Sequence, residues 1–140
     1  AGSIFKIEPA LRHPGPGSLI GDLSVSSEAC SERSESNGVM DVVNIFQHRG
    51  KYFNVLQGTQ RSQTGVMTLG VGQDTGGGDV HSGDQVIYIV EGKALLRLGK
   101  EEVLAEAGTL IMIPAGTLHS VCNKGDTPLF ILTVYAPPVY

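Results

Sequence analysis

The chain has 140 residues, of which 41% are hydrophobic and 17% charged, and its formal net charge is −4. This length suits one domain with a substantial hydrophobic core. The acidic balance argues against nucleic-acid binding, which requires a basic face that neutralises phosphates. No apolar stretch approaches the roughly 20 residues that span a bilayer, so we expect no membrane partner. No secretory signal is visible, and we predict a cytoplasmic protein.

The first 40 residues differ in composition from the rest of the chain. Short apolar pieces alternate with Pro and Gly, as in HPGPG, which cannot form the interior of a helix. A polar stretch rich in Ser and Glu follows, SSEACSERSESNG. We predict an N-terminal arm of extended or loop structure over residues 1–40, and a single domain over residues 41–140. Asp41 is expected to cap a short helical turn through DVVNIFQ.

From Tyr52 onward, short apolar runs alternate with turns that contain glycine. Helical periodicity is nearly absent, which predicts an all-β domain. We expect eight strands, in the segments YFNVLQ, GVMTLGV, QVIYIVEG, KALLRLG, EEVLAEAG, TLIMIPAG, TLHSVCN and PLFILTVYA. Eight strands at hairpin spacing are typical of a jelly roll.

Several of these strands are apolar on both faces. In QVIYIV, Ile87 and Ile89 point to one side, while Val86 and Tyr88 point to the other. A sheet that is apolar on both faces is covered on both. One face can fill the barrel interior, and the other must contact the N-terminal arm or a second subunit. We expect a homodimer in which both contribute, because an exposed apolar patch of that size would be a liability.

Two segments, GGGDVHSGDQVIYIVEG and GTLIMIPAGTLHSVCN, resemble the two motifs of the cupin superfamily. The second cupin motif consists of a Gly, five residues, Pro-x-Gly, two residues, a His, three residues and an Asn. It matches at every fixed position, namely Gly108, Pro114, Gly116, His119 and Asn123. The resemblance covers roughly residues 52–137 and implies a double-stranded β-helix, the jelly-roll barrel of the cupins.

The first motif is in frame but altered. Its usual pattern is a Gly, five residues, His-x-His, three or four residues, a Glu, six residues and a Gly. Here Asp79 and His81 occupy the two His positions, and Gln85 occupies the Glu position. The pair Asp84-Gln85 and the ending TVYAPPVY are also similar to small single-domain cupins of the phosphomannose-isomerase-like group.

The residue pattern itself favours a metal site. Residues 79, 81, 83 and 85 share parity and face one way along an extended chain, so Asp79, His81 and Gln85 can converge. His119 would approach from another strand, after a Pro-Gly turn. Two imidazoles with oxygen donors suit Zn, Fe, Mn, Ni or Cu. We therefore predict that His81, Gln85, His119 and Asp79 bind a divalent metal ion.

The altered ligand set leaves the chemistry open. If Asp79 is only a turn residue after three glycines, neutral Gln85 leaves the ion nearly its full charge, which weakens binding and strengthens the Lewis acid. If Asp79 binds the ion, two His and one carboxylate resemble the site of non-haem iron oxygenases.

We read the remaining motif residues as structural. Asp84 points away from the site and is expected to form a supporting hydrogen bond. Four glycines are expected to adopt the backbone angles that tight turns require, namely those at positions 76, 92, 108 and 116. Met67 and Met112 are expected in the core.

The sequence predicts a metal-binding cupin with a small-molecule ligand in the barrel. An isomerase that polarises a carbonyl and a dioxygenase are both compatible with such a site. The alternative is a non-catalytic module that binds or senses a ligand, since the loss of two usual ligands can accompany a loss of chemistry. Whether the protein is an enzyme stays open at this point.

Overall fold

The computed structural model of the protein describes residues 38–140, so nearly all of the predicted N-terminal arm lies outside the described residues. In this part of the chain a 3-10 turn, Ile45–His48, precedes eight strands. The strands are β1 (Phe53–Gly58), β2 (Gln63–Leu69), β3 (Asp84–Glu91), β4 (Lys93–Leu98), β5 (Glu101–Glu106), β6 (Leu110–Ile113), β7 (His119–Asn123) and β8 (Leu129–Ala136). No helix of residues 38–140 is long and apolar enough to cross a membrane.

The strands form two antiparallel sheets. The larger sheet has the order β1-β2-β8-β3-β6, and the smaller has the order β5-β4-β7. Strands far apart in sequence are neighbours, as when β8 lies between β2 and β3. This crossing arrangement confirms the predicted all-β double-stranded β-helix.

The core lies between the inward faces of the two sheets. In β3 the predicted alternation holds, since Ile87 and Ile89 are buried while Tyr88 remains 38% exposed. From the smaller sheet, Ala94 and Leu96 are fully buried against them. Because side chains alternate along a strand, the same inward row of β3 also carries Gln85, which is buried although polar. A polar group therefore enters the barrel at one end of the core.

The four glycines predicted to serve turns have the backbone angles expected of turn residues. Gly76, Gly92, Gly108 and Gly116 all have positive φ, between 75° and 94°. At position 92 space is also short, because a Cβ would lie 3.0 Å from the Cα of Leu129. The prediction that these residues serve the backbone is confirmed.

Two expectations about individual residues were wrong. The short turn is capped by Asn44, whose side chain accepts a hydrogen bond from the backbone N–H of Phe46, and not by Asp41. Met112 is 60% exposed, because Ile113 takes the inward position of β6 and its neighbour must face outward. Met67 packs against the core as expected.

Candidate metal centre

Three predicted ligands meet at the polar end of the barrel. Asp79, His81 and His119 each offer a ligand atom, and these atoms all lie within 4.8 Å of one another. The two imidazole rings are buried, with centroids 5.0 Å apart, and Asp79 is the most exposed of the three. An ion bound about 2.1 Å from each ligand needs ligand atoms within roughly 4.2 Å, so small side-chain rotations bring this cluster to binding distance.

Backbone hydrogen bonds place Asp79 and His119 opposite each other. The N–H of Asp79 donates to the carbonyl of His119 at 2.7 Å, and the N–H of His119 donates back at 3.0 Å. Nearby, the N–H of Thr75 donates to the carbonyl of Val121 at 2.9 Å, so this segment runs beside β7. His81 lies two residues beyond Asp79 and shares its parity. Pairing with β7 therefore brings the altered first motif to the histidine of the second.

The turn before Asp79 requires glycine. Gly78 has φ +117°, and a Cβ there would lie 2.8 Å from the side chain of Leu118. On the other side, the N–H of Gly116 donates to the carbonyl of His81 at 2.8 Å. The two motifs thus hold each other at the cavity through backbone atoms.

A hydrogen bond defines the tautomer of His119. Its Nδ1 lies 2.9 Å from the carbonyl oxygen of Thr117. A carbonyl oxygen only accepts, so Nδ1 must donate, and a neutral His119 carries its lone pair on Nε2. This supporting bond to a backbone carbonyl is typical of histidines that bind metal ions.

The environment of His81 favours its neutral form. Burial lowers the pKa of His81, the neighbouring His119 lowers it further, and Asp79 acts in the opposite direction. Burial lowers the pKa because a charged imidazolium loses hydration. A neutral imidazole is the form that binds a metal ion.

Gln85 presents an oxygen atom that has no partner. Its Nε2 donates to the hydroxyl of Thr133 at 3.0 Å and to the hydroxyl of Tyr135 at 3.2 Å. These bonds orient the amide, and its buried Oε1 has no hydrogen-bond partner among the described residues. Leaving a buried acceptor unsatisfied costs about 1–3 kcal/mol, so this atom is suited to an ion or water.

The predicted ligands line one cavity of about 30 Å³. That volume holds an ion with one or two water molecules, since one water needs roughly 10–15 Å³. The remaining lining residues, polar and then apolar, are Thr75, Thr133, Tyr135, Tyr140, Met67, Ile87, Val121 and Ile131. The candidate ligands therefore share the cavity with four polar and four apolar side chains.

The sequence analysis did not find the tyrosines of this cavity. Tyr135 lies directly opposite Gln85 in the pairing of β8 with β3. Burial, with Tyr140 nearby, raises the pKa of Tyr135, so its phenol stays protonated and can serve as donor or acceptor. Tyr135 is identified only by the register of β3 with β8, and that register cannot be deduced from a single sequence.

Two motif residues form hydrogen bonds with backbone groups and do not line the cavity. The Oδ1 of Asp84 accepts a hydrogen bond from the N–H of Ala115 at 2.9 Å, which confirms its predicted structural role. The buried Asn123 donates to the carbonyls of Leu69 and Thr127 and accepts from the N–H of Gly125. Asn123 thereby joins β7 to the loop that follows it.

Comparison with known proteins identifies the family to which this fold belongs. Residues 65–135 match the family described as "Cupin domain", Cupin_2, and the chain belongs to this family.

The chain is also similar to curated proteins and to solved structures. The uncharacterized protein YrkC of Bacillus subtilis is 36% identical over 96 residues, 64% of this chain and 46% of YrkC, so the chain spans about half of that relative. The crystal structure of BH2720 from Bacillus halodurans is similar with a TM-score of 0.67 and 30% identity, over 77% of this chain and 89% of that one. TT1209 from Thermus thermophilus gives a TM-score of 0.61 and 28% identity, over 70% of this chain and 98% of that one.

Proposed function

We propose that this cupin domain binds one divalent metal ion through His81, His119, Gln85 and Asp79 and offers it to a small molecule. The observation that carries the proposal is the buried Oε1 of Gln85, which has no partner among the described residues and lines the same cavity as both imidazoles. Buried polar atoms normally have a hydrogen-bond partner, so this oxygen is suited to a bound ion or water.

The donor set suits a borderline transition metal. Two neutral imidazoles, one amide oxygen and one carboxylate fit Zn, Fe, Mn or Ni, whereas Ca and Mg prefer all-oxygen sites. Asp79 supplies the single negative charge of the set. Its exposed position also allows it to contact a ligand that enters from solvent.

A bound ion would supply Lewis acidity toward a carbonyl, or a binding position for dioxygen. The chain supplies the surroundings of that chemistry. Thr133 and Tyr135 fix the Gln85 amide, and Asp79 is placed to accept a proton from a ligand within hydrogen-bond reach. These features support a metal-dependent isomerase or dioxygenase.

One observation favours the alternative, a non-catalytic ligand-binding or sensing module. The cavity holds about 30 Å³, far below the roughly 300–1,000 Å³ of most small-molecule sites. A site of this size without an open position on the metal would store or sense an ion.

Cobalt titration of the metal-stripped full chain tests the proposal. We expect one Co²⁺ per chain, with visible absorption bands, and His81→Ala or His119→Ala should weaken binding by more than about 100-fold, beyond the 10–100-fold typical of supporting residues. His48→Ala is the matched control, because His48 lies outside the cluster and contacts Asn54. Wild-type protein that binds no ion, or variants that bind equally well, would refute the proposal.

Adding azide to the cobalt-loaded protein separates the two functions. A changed spectrum means that the ion has an open position, as an enzyme requires. An unchanged spectrum on a fully loaded site favours the sensing module.

The homodimer also belongs to this proposal. On the outer face of β3 and β6, Tyr88 lies opposite Leu110 and Val86 lies opposite Met112. Leu110 is 69% exposed, and apolar pairs at a sheet edge favour contact with a second copy. Light scattering should show that the wild-type protein is a dimer and that the double variant with Leu110→Lys and Met112→Lys is a monomer. A wild-type monomer would contradict it.

The location and domain limits are proposals as well. We propose a cytoplasmic protein with a domain boundary near residue 40, and subcellular fractionation with limited proteolysis tests both.

A further inference from the structure

The segment Pro137–Tyr140 belongs to neither cupin motif, and its residue Tyr140 lines the cavity. The ring of Tyr140 lies 4.9 Å from that of Phe53, 5.4 Å from Tyr135 and 5.9 Å from His81, measured between centroids. Tyr140 lines the cavity, yet it is 63% exposed. One side of this residue therefore faces the proposed ligands, and the other faces solvent.

One buried side chain holds this segment in place. The Nε2 of Gln63 donates to the carbonyl of Tyr140 at 2.6 Å. Its Oε1 accepts from the backbone N–H groups of Tyr140 at 3.0 Å and Val139 at 3.2 Å. Gln63 itself does not line the cavity. Three hydrogen bonds with one side-chain amide, which lies outside the cavity lining, thus hold Val139 and Tyr140 in place.

The segment also passes close to the first motif. A Cβ at Gly83 would lie 2.5 Å from the carbonyl oxygen of Pro137 and 3.1 Å from that of Ala136. Glycine at position 83 thus allows the chain to cross directly beside the loop that carries His81.

From these contacts we propose that Tyr140, positioned by Gln63, is the size-selecting residue of the site. With Tyr140 in place the cavity of about 30 Å³ admits an ion and water-sized ligands. An oxygen-bearing organic ligand enters only when Tyr140 moves aside. This inference rests on the proposed function, because it concerns how ligands reach the proposed metal site.

Acylation of His81 by diethyl pyrocarbonate tests the inference without any metal. The reagent is far larger than a water molecule and cannot share a cavity of about 30 Å³ with the imidazole. The full metal-free chain is treated at about pH 8, where an imidazole of ordinary pKa is neutral. Peptide mass spectrometry compares the rate at His81 with the rate at His48 in the same molecule.

We expect Tyr140→Ala and Gln63→Leu each to accelerate acylation of His81 by about tenfold relative to His48, since each variant increases local opening. In Tyr140→Phe, His81 should be acylated at the wild-type rate, because the phenylalanine ring fills the same space as the tyrosine ring. Gln57→Leu is the matched control, since Gln57 also donates to a backbone carbonyl, that of Asp41. Circular dichroism verifies that every variant is folded.

Unchanged His81 rates in both Tyr140→Ala and Gln63→Leu would overturn the inference. Because no metal is present, this result is independent of the cobalt titration. A chain that binds no cobalt but shows the expected acceleration would retain the size-selecting wall and lose only the metal proposal.

Discussion

The two cupin motifs contribute to this protein in different ways. The second, Gly108–Asn123, is built from β6, a turn and β7, and of its fixed residues His119 lines the cavity while Asn123 serves the backbone. In the first motif, Asp79 pairs with His119 of β7 through an isolated bridge, and both altered positions, Asp79 and Gln85, line the cavity. The first motif therefore contributes three of the four proposed ligands together with the core residues Ile87 and Ile89, and the second contributes His119 and the polar support of Asn123.

The largest effect is expected from Asn123→Ala. It removes three hydrogen bonds and leaves buried backbone groups without partners, which should cost about 2–3 kcal/mol of unfolding free energy. Urea denaturation measures the change, and Asn54→Ala, which removes one partly buried bond to His48, is the control. A loss below that of the control would show that the second motif does not support the barrel in this way.

Asp79→Asn should act on metal binding and not on the fold. Loss of the single negative charge in the donor set should weaken Co²⁺ affinity by about 30-fold, or ~2 kcal/mol, because the amide keeps an oxygen donor but no longer attracts the ion by charge. Asp74→Asn is the control, since Asp74 lies in the same segment and accepts from the N–H of Gly76. Equal affinities in the two variants would assign Asp79 to the turn alone.

Gln85→Glu should raise Co²⁺ affinity by about tenfold, or ~1.4 kcal/mol, because it adds a negative charge beside the ion. The hydroxyls of Thr133 and Tyr135 can rotate to donate to the new carboxylate. Gln85→Leu removes the oxygen and should weaken binding. Gln60→Glu adds the same charge on an exposed loop and should leave affinity unchanged. Equal affinities in the three variants would exclude Gln85 as a ligand.

Asp84→Ala should give the smallest change in stability, and it tests whether the first motif also supports the second. Asp84 belongs to the first motif but supports the backbone of the second through Ala115. Its loss should cost about 1 kcal/mol of stability and leave metal affinity unaltered. A large fall in affinity would mean that this bond also positions the ligands.

Much of the fold and the approximate site could be predicted because both depend on local patterns. Alternation in β3 placed Ile87 and Ile89 on one face, which the structure shows to be the buried one, and motif spacing indicated that His81 and His119 lie close together. Met112 was misassigned, because an edge strand that is apolar throughout does not reveal which row faces inward. Asn44 was missed in favour of Asp41, since both residue types cap turns equally well.

The sequence by itself determined the eight strands, their turns and the identity of the candidate ligands, since these follow from periodicity, glycine angles and residue spacing. Only the tertiary structure decided which residues support those ligands. The register of β3 with β8 places Tyr135 opposite Gln85 and orients its amide. The return of residues 137–140 over Gly83 brings Tyr140 beside His81. Such contacts join residues 50 or more positions apart, and their geometry depends on how the sheets close around the core.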